Sequence, residues 1–490
     1  MLSQNKKFYI TTTLAYTNSD PHLGFALEMI QADVIARYHR QKGEEVFFNT
    51  GTDEHGLKIY RKAKEQNLST KDFCDIYSKR FRKLKESLDL SYDNFIRTTD
   101  KKHIKATQDF WKKCEANGDI YKKNYKIKYC VGCEMEKTES ELVDSKCPLH
   151  PNQELEIIEE ENYFFRYSKY QDKLLDLYKK KPEFVLPESR FNEIKEFTKK
   201  GLKDFSISRL KEKSPWGIDV PGDAEHTMYV WFDALVNYIS CLGWPNDSEK
   251  FNDFWPGIQV AGKDNLRQQS SMWQAMLMSA GIKPSKQIFI HGFITSDGQK
   301  MSKSLGNVIN PFDLVEKYGT DAVRYFLLRE ITPTEDGDFT YGKFEARYNA
   351  DLASGLGNLV ARVVKLGDGK NLKPTGIINE ELQSKVYETW ECYQKTLDGF
   401  KFNESLGSIW KLISFCDKYI EKERPWEESE NQMLVINNLL IVIANIAKML
   451  QVFLPESSEK IFKQLGIKIS DKEWHFKIKK GKSLFPRLIS

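Results

Sequence analysis

The sequence of 490 residues has no marked excess of charge of either sign. Its 74 lysines and arginines stand against 70 aspartates and glutamates, which leaves a formal net charge of +4. This balance excludes a chain that binds polyanions over its whole surface, so any nucleic-acid surface has to be a local patch. Repeats and low-complexity tracts are also missing, and 40% hydrophobic residues are typical of an ordered globular protein. At roughly 150 residues per domain, the length predicts about three domains.

Long uninterrupted apolar runs are missing as well. The longest candidate, residues 434–453, could span a bilayer by length but contains polar side chains at roughly helical spacing. These are Asn437, Asn438, Asn445, Lys448 and Gln451. We therefore expect a buried amphipathic helix and no membrane span, because each polar side chain costs free energy in lipid. Residues 1–7 are polar and lead directly into a strand-like run, which leaves no room for a secretory signal and predicts a cytoplasmic protein.

Cysteines are few and unevenly distributed. Five of the eight are scattered, whereas Cys130, Cys133 and Cys147 lie close together, and disulfides are disfavoured in a cytoplasmic chain. With His150 they form two pairs, Cys130-x2-Cys133 and Cys147-x2-His150, which have the ligand types and spacing of a tetrahedral Zn²⁺ site. Four protein ligands leave no open position on the metal, so the predicted zinc is structural. The alternative, free thiols beside a chance histidine, is disfavoured by the demanding spacing.

The N-terminal residues have the pattern of a βαβ unit. A strand is predicted over residues 8–14, a helix from residue 22 to about residue 40, and a second strand over residues 45–49. Such units build parallel sheets that bind ligands at the carboxyl ends of their strands. Residues 10–24 and 50–56 would both lie at that edge.

The rest of the chain divides into three stretches. Residues 118–205 consist of charged, short-strand segments that contain the cysteine cluster, which predicts an insertion. The α/β pattern then resumes, with strands expected at 228–233, 258–262 and 287–291 and helices at 234–240 and 270–279. From about residue 346 onward the periodicity predicts only helices. These are expected at 350–366, 380–397, 405–423, 432–453 and 457–465.

Two short motifs have the chemistry to hold a polyphosphate. Pro21-His22-Leu23-Gly24 follows the first strand, where the N-terminus of a helix would present free N–H groups to a phosphate. Lys300-Met-Ser-Lys303-Ser would add mobile positive charges and hydroxyl donors. Taken separately, such motifs are more often a helix cap and a solvated loop.

Together the two motifs resemble the signatures of the class I aminoacyl-tRNA synthetases. The second matches the family's Lys-Met-Ser-Lys-Ser signature at every position, whereas the first departs from His-x-Gly-His at its last position, which is Phe25. The resemblance implies an α/β catalytic domain with a doubly wound parallel sheet of Rossmann type that binds ATP together with Mg²⁺. It assigns ATP binding to Asn18, His22, Gly24, Lys300, Ser302 and Lys303.

The surrounding residues resemble the methionyl-tRNA synthetases over nearly the whole chain. The matching stretches are Leu14-Ala-Tyr16-Thr-Asn18, Gly51-Thr-Asp53-Glu-His-Gly56, Ser208-Arg209, Tyr229-Val-Trp231-Phe-Asp-Ala234, Gly262-Lys-Asp264 and Arg424-Pro-Trp426. The predicted zinc knuckle also resembles that of one branch of this family.

The same resemblance implies a methionine site with an apolar wall and a carboxylate. Its residues would be Leu14, Tyr16, Trp231, Ala234, Tyr238 and Asp264, with Asp53 holding the ammonium group. Aromatic faces and a tyrosine hydroxyl suit a thioether, although ordinary core packing of these aromatics is the alternative. Where the family usually carries an aromatic residue and a histidine, this chain has Gln268-Gln269, to which we assign no role.

Three residues of the helical region resemble the family's anticodon readers, namely Asn358, Arg362 and Trp426. Indole and guanidinium planes stack on single-stranded bases, and residues i and i+4 of a helix share one face. The alternative is a capping asparagine, a surface arginine and a packed tryptophan.

The resemblance therefore predicts a methionine–tRNA ligase made of five segments. These are the first half of the catalytic domain (1–117), the insertion with the zinc knuckle (118–205), the second catalytic half (206–290), a linking region with the lysine motif (291–345) and an all-α anticodon-binding bundle (346–490). We expect a monomer that takes ATP, methionine and both the initiator and the elongator methionine tRNAs.

In the implied reaction, the methionine carboxylate attacks the α-phosphate of ATP and releases pyrophosphate. A ribose hydroxyl of the terminal adenosine of the tRNA then takes the methionyl group. Charge on the phosphate would be neutralised by His22, Lys300 and Lys303. Arg209 and Asp53 would orient the substrate.

Three other functions are compatible with parts of the sequence. Cysteine activation uses zinc inside the catalytic pocket, whereas the ligands here lie in the insertion. The leucine, isoleucine and valine enzymes carry an editing domain for which this chain has no room. A tRNA-binding protein that has lost ligation stays open because of Phe25 and Gln268-Gln269.

Overall fold

The computed structural model describes residues 6–137, 141–301, 306–370, 372, 376, 377, 379–469 and 474–488. The chain divides into two compact units. The first unit comprises Met1–Pro21, Gly43–Lys83 and Tyr92–Ile290, and the second comprises His22–Lys42, Leu84–Ser91 and His291–Ser490.

The strands of the described residues are numbered in chain order. They are β1 (Lys7–Thr12), β2 (Ala15–Tyr16), β3 (Glu45–Asp53), β4 (Asn94–Arg97), β5 (Ile120–Cys130), β6 (Met135–Lys137), β7 (Glu156–Phe165), β8 (Val185–Leu186), β9 (Phe205–Ser206), β10 (Ser208–Leu210), β11 (Asp219–Val220), β12 (Asp223–Met228), β13 (Ile258–Gly262), β14 (Gln287–His291), β15 (Ile294–Ser296), β16 (Gln299–Lys300) and β17 (Gly337–Phe339).

The α-helices are numbered in the same way. They are α1 (Leu23–Gln41), α2 (Leu57–Glu65), α3 (Thr70–Ser87), α4 (Lys101–Ala116), α5 (Gln171–Lys180), α6 (Glu188–Lys199), α7 (Val230–Leu235), α8 (Asn237–Ser240), α9 (Ser248–Phe254), α10 (Trp273–Ser279), α11 (Pro311–Tyr318), α12 (Thr320–Arg329), α13 (Tyr341–Arg347), α14 (Asn358–Gly367), α15 (Glu380–Asp398), α16 (Phe402–Glu423), α17 (Gln432–Leu450) and α18 (Pro455–Leu465).

The first unit is built on a parallel sheet with the strand order β2-β3-β1-β13-β14-β8, and β4 also pairs with β3. Strand β1 lies inside this order, where Ile10 pairs with Phe48 of β3 and with Ile258 of β13. All five residues of β13 are buried, as expected for a strand that is covered on both faces. The predicted parallel sheet is confirmed.

The short strands predicted within residues 118–205 do occur, as β6, β8 and β9, but the prediction missed two long strands. Strands β5 and β7 form a long antiparallel hairpin that is paired from Ile120 and Phe165 to Tyr129 and Glu156. Lys126 pairs with the opposite Glu159, and Lys122 pairs diagonally with Glu161, so part of the charged composition reflects exposed cross-strand ion pairs rather than broken strands.

Part of this stretch belongs to the main sheet. Strand β8 pairs in parallel with β14, where Val185 lies beside Ile288. The stretch therefore supplies an edge strand as well as the hairpin. The predicted domain boundaries themselves stay a prediction.

The strand expected at residues 228–233 is also wrong. Strand β12 ends at Met228, the extended backbone of Tyr229 forms the N-cap, and helix α7 begins at Val230. Five of the six residues of α7 are buried. A short apolar run that is buried on all sides has no periodicity, so its composition alone could not distinguish a strand from a helix.

The second unit is mainly helical, which confirms the predicted fold of the C-terminal region. Helices α15 to α18 agree with the predicted ranges to within a few residues. The helix expected at 350–366 is instead a π-helical segment, Tyr348–Gly357, that continues into α14. Asp33 of α1 and Arg324 of α12 form a fully buried ion pair with an N···O distance of 2.8 Å, which fixes these two helices against each other.

Helix α17 is long and apolar enough to cross a membrane by length and composition. However, 78% of its most apolar window is buried inside the structure. Asn437 and Asn438 are buried among its apolar residues. Its place in the structure is that of a core helix of the second unit.

Candidate functional site

Three neighbouring strands of the main sheet end at one edge and place predicted residues there. Asp53 is the last residue of β3, and Leu14 follows β1 by two residues. Asp264 lies exposed in the single 3₁₀ turn directly after β13. Because β3, β1 and β13 are adjacent and parallel, this is the ligand-binding edge that the βαβ pattern predicts.

The Asp53 carboxyl is suited to bind a cation. The residue is only 8% exposed to solvent. Burial raises the pKa of Asp53 well above its usual range, and the nearby negative charge of Asp233 raises it further. A bound ammonium group would favour the ionised form again, since an opposite charge lowers a carboxyl pKa.

Asp233 forms a buried network that sequence reasoning missed. Its two oxygens lie 2.5 Å from His55 Nδ1 and 2.7 Å from His103 Nε2. Burial opposes ionisation, but the two histidines hold the pKa of Asp233 below its usual range. His103 Nδ1 also lies 2.8 Å from Ser240 Oγ. These residues are far apart in the sequence and meet only in the folded chain, so no sequence spacing could have revealed the network.

The predicted apolar wall comes from consecutive short helices. Trp231 and Ala234 lie on α7, and Tyr238 lies on α8. Tyr238 is buried and packs edge-on against Trp273, with ring centroids 5.9 Å apart, so it is also part of the core. Tyr16 on β2 donates its hydroxyl to the His55 carbonyl oxygen at 2.9 Å.

The glutamine pair has definite partners. Gln269 Nε2 donates to the Tyr238 hydroxyl at 2.7 Å, and its Oε1 accepts from Gln259 Nε2 at 3.2 Å. Gln259 accepts in turn from Ser285 at 2.8 Å. This chain of buried amides fixes which end of Gln269 faces Tyr238. Gln268 Nε2 lies 3.3 Å from Met135 Sδ, so an amide already contacts a thioether here.

Arg209 lines a cavity of about 270 Å³ that Gly56 and Glu134 also border. Its guanidinium lies over the rings of Tyr129 and Tyr229, 5.1 and 4.7 Å from their centroids. Cation–π contacts in a buried position hold such a side chain in one orientation. Arg209 is therefore a fixed positive group in the first unit.

The predicted metal ligands come together at the tip of the β5–β7 hairpin. The ligand atoms of Cys130, Cys133, Cys147 and His150 all lie within 4.8 Å of one another. A Cβ on Gly132 would lie 2.5 Å from His150 Cγ, so only glycine permits this close turn. Three thiols and one imidazole are the donor set of a structural tetrahedral Zn²⁺ site, and these residues fit that ion.

In the second unit, His22 is the N-cap of helix α1. Its Nδ1 accepts a hydrogen bond from the Gly24 N–H at 3.1 Å, so Nε2 carries the proton of the neutral ring. Burial lowers the pKa of His22 to about 4. Without a bound anion the neutral imidazole would act as a hydrogen-bond donor through Nε2, and the expectation that His22 neutralises phosphate charge stays a prediction.

Phe25 and Gly24 shape this helix start. The Phe25 ring lies 4.7 Å from the His22 ring between centroids, so the departure from the signature packs against the histidine. A Cβ on Gly24 would lie 3.0 Å from the same ring, which explains the need for glycine. Asn18 lies in the turn before this helix, in the first unit.

Lys300 is exposed and is the last residue of β16, which pairs with β15. Ser302 and Lys303, the other predicted residues of the motif, lie outside the described residues. Their assignment to ATP stays a prediction.

Two of the predicted anticodon readers lie on helix α14 of the second unit, and the third lies in a turn after α16. Asn358 begins α14 and is exposed, and Arg362 donates to Glu421 at 2.6 Å. Trp426 follows α16 and is 50% exposed, which is unusual for an indole that serves only packing. These positions are consistent with a surface that binds RNA, but contacts with the anticodon bases stay a prediction.

Family comparisons agree with this geometry. A model described as tRNA synthetases class I (M) matches residues 8–155 and 136–364, and an anticodon-binding domain of tRNA ligases matches residues 379–485. Together with the parallel sheet and the helical C-terminal region, these matches define a class I aminoacyl-tRNA synthetase.

Individual relatives show which family of class I synthetases the chain resembles. The methionine–tRNA ligase of Thermotoga maritima is 41% identical over 485 residues, which cover 96% of this chain and 77% of that protein. That of Brucella suis is 40% identical, with 94% and 92% coverage. The chain belongs to the methionyl-tRNA synthetase family.

Solved structures support the same conclusion. Mycobacterium tuberculosis methionyl-tRNA synthetase in complex with methionyl-adenylate superposes with a TM-score of 0.93 at 37% identity, covering 98% of this chain and all of that one. Its ligand-free form gives a TM-score of 0.85 at 34% identity, with complete coverage of both chains.

Proposed function

We propose that this chain ligates methionine to methionine tRNAs in two steps at the expense of ATP. The observation that carries the proposal is the buried Asp53 at the carboxyl edge of the sheet, in a chain similar over nearly its whole length to methionine–tRNA ligases. In the proposed first step, Asp53 binds the methionine ammonium group and leaves the carboxylate to attack the α-phosphate of Mg-ATP. No covalent intermediate with the protein is needed.

The amino-acid side of the reaction depends on fixed groups. Leu14, Trp231 and Ala234 would form the apolar wall, with Tyr16, Tyr238 and Asp264 completing the site. Tyr238 is held by Gln269, whose amide donates to its hydroxyl. Arg209 would orient the substrate from a position fixed by two aromatic rings.

The phosphate side depends on hydrogen-bond donors and mobile charge. His22 would donate from neutral Nε2, Gly24 and Asn18 would leave room for the nucleotide, and Lys300, Ser302 and Lys303 would contact the phosphates. Positioning and charge stabilisation account for most of the catalysis in phosphoryl chemistry.

The cysteine cluster would hold one Zn²⁺ through Cys130, Cys133, Cys147 and His150. When bound, the metal supplies a structural cross-link rather than a reactive water, because all four positions are taken by protein. We infer no catalytic step for it.

We also propose that the helical region reads the anticodon of initiator and elongator tRNAs through Asn358, Arg362 and Trp426. The exposed indole supports this, since stacking on an aromatic ring contributes about 1–3 kcal/mol per base. Trp426→Ala should therefore raise the KM for tRNA by about tenfold or more while leaving methionine activation unchanged, and Trp426→Phe should stay close to the parent. An equal loss in both assays would contradict a role in anticodon binding.

The chain is further proposed to act as a cytoplasmic monomer. Sedimentation of the purified protein tests the monomer directly, and a stable dimer would overturn it.

The first experiment is pyrophosphate exchange into ATP without tRNA, run with each of the twenty amino acids. Exchange with methionine alone is expected. Exchange with cysteine would overturn the assignment of the pocket. Tight tRNA binding without exchange for any amino acid would favour a tRNA-binding protein that has lost ligation.

A further inference from the structure

Glu134 follows the predicted metal ligand Cys133, yet its carboxylate forms hydrogen bonds with residues outside the cysteine cluster. The residue is only 6% exposed, and its backbone is left-handed, with φ at 51°. Its Oε1 accepts from the Lys58 backbone N–H at 2.7 Å and from the Tyr16 hydroxyl at 3.1 Å. Its Oε2 accepts from the Tyr129 hydroxyl.

This carboxylate caps helix α2 from outside the helix. Gly56, the N-cap of α2, has no side chain that could accept from the first N–H groups. Glu134 supplies both the acceptor and a negative charge at the positive end of the helix. Lys58 completes the connection, since its ammonium donates to the Gly132 carbonyl oxygen at 3.1 Å. The turn between the first two cysteines and the start of α2 are thus joined at two points.

The same contacts reach the residues assigned to methionine. Gly56 lies three residues after Asp53, and the single hydroxyl proton of Tyr16 is shared between the His55 carbonyl oxygen and Glu134 Oε1. A Cβ on Gly56 would lie 2.5 Å from the Tyr16 hydroxyl and 3.1 Å from Glu134 Oε1. Tyr16, Gly56 and Glu134 are therefore packed without spare room.

We propose that Glu134 is the positioning residue through which the metal-bound knuckle holds Tyr16 and residues 53–56 in their methionine-binding arrangement. The left-handed Glu134 directly follows Cys133, and its N–H donates to the Val131 carbonyl oxygen at 3.3 Å, so the residue lies in the turn whose two cysteines the ion would fix. Loss of the metal releases the turn, the cap of α2 and the Tyr16 contact together. This inference rests on the proposed function, because it takes Tyr16 and Asp53 as methionine-binding residues.

The test measures methionine binding at equilibrium without ATP, on zinc-loaded and chelator-stripped protein, for the parent, Glu134→Ala and Glu134→Gln. Stripping should weaken binding by the parent about tenfold. Glu134→Ala should weaken the loaded protein to a similar extent while it retains its zinc, and stripping this variant should then add less than about twofold. Glu134→Gln keeps one acceptor oxygen, so its methionine affinity should lie between those of the parent and Glu134→Ala.

The matched control is Glu159→Ala. Glu159 lies on β7 of the same hairpin and pairs with Lys126 at 2.9 Å, and both side chains are exposed. This variant should bind methionine and respond to zinc removal as the parent does. ATP affinity should be unchanged in all variants, which distinguishes the local effect from general damage.

Three results would overturn the inference. The first is a zinc-loaded Glu134→Ala protein that binds methionine as tightly as the parent. The second is a further loss of about tenfold in methionine affinity when zinc is removed from that variant. If Glu134→Ala does not fold, the third is parental affinity and zinc response in Glu134→Gln. A loaded parent protein that binds no methionine would instead contradict the proposed function.

Discussion

The proposed amino-acid edge of the first unit and the proposed phosphate-binding elements of the second unit are built in opposite ways. Asp53, Asp233 and Tyr238 are buried and fixed by hydrogen bonds or by their surroundings. Lys300, in contrast, is exposed at the end of a two-residue strand. Discrimination between amino acids needs groups held in place before the substrate arrives, whereas a polyphosphate can be held by mobile charge. We expect substitutions to reveal this difference.

The largest effect is expected from Asp53→Asn. It removes the negative charge that a buried ammonium group needs while it preserves the shape of the side chain. Breaking a buried charge pair costs about 3–5 kcal/mol, so kcat/KM for methionine should fall by roughly 10³-fold. Pyrophosphate exchange measures this loss. An unchanged KM for ATP would place the damage on the amino-acid side alone, and a loss of less than about tenfold would contradict the role of Asp53.

Lys300→Ala should have the next largest effect, and this effect should concern ATP rather than methionine. Removing one group that stabilises developing phosphate charge typically costs about 10²-fold in kcat. The KM for methionine should stay close to the parent value. Lys317→Ala is the control, because Lys317 is also an exposed lysine of the second unit and pairs with Glu345. Equal losses in the two variants would show that only general positive charge matters.

A smaller effect is expected from Gln269→Leu. This change leaves the Tyr238 hydroxyl and the Gln259 amide without a buried partner, at a cost of about 1–3 kcal/mol. The KM for methionine should therefore rise about tenfold, with kcat for exchange less affected. Gln269→His restores a ring N–H donor and should recover most of the affinity. Failure of both variants to change KM would show that Tyr238 does not need this partner.

The smallest effect is a pH dependence of stability. Burial lowers the pKa of His22 to about 4 in the folded protein, below the ordinary value of 6.5. Between these values the unfolded chain binds more protons, so His22 makes the folded state less stable as the pH falls from 6.5 towards 4. His22→Asn keeps an N-cap acceptor without the titration. Urea unfolding at pH 7 and pH 5 should show a shallower loss for the variant than for the parent, and equal slopes would contradict the buried, neutral histidine.

Features with a local pattern could be predicted from the sequence. The metal ligands, the βαβ start and helices α15 to α18 each depend on spacing within a few residues, and all were found where expected. Residues 228–233 were mistaken for a strand because a buried apolar run carries no periodicity. The lowered pKa of His22 could not be read from the motif, because it depends on how the folded chain covers the ring.

Features that depend on distant partners could not be predicted. His55 and His103 meet Asp233 across more than a hundred residues of sequence, and Glu134 meets Tyr16 in the same way. Such contacts exist only once the sheet has assembled, so no window of the sequence contains both partners. The assignment of methionine to the pocket came from resemblance to a family, because pocket shape is a property of the assembled structure.

The position of β1 in the main sheet has a consequence for how the chain reaches its fold. Ile10 is paired on one side with Phe48 but on the other with Ile258, which is 248 residues further along. At about 5–20 residues per second, a ribosome needs roughly 12–50 s to deliver that second partner. Throughout this time the nascent chain carries β1, with Phe8, Tyr9 and Ile10 that the folded protein buries, as an unpaired edge strand. The strand order itself therefore delays completion of the sheet until β13 has been synthesised.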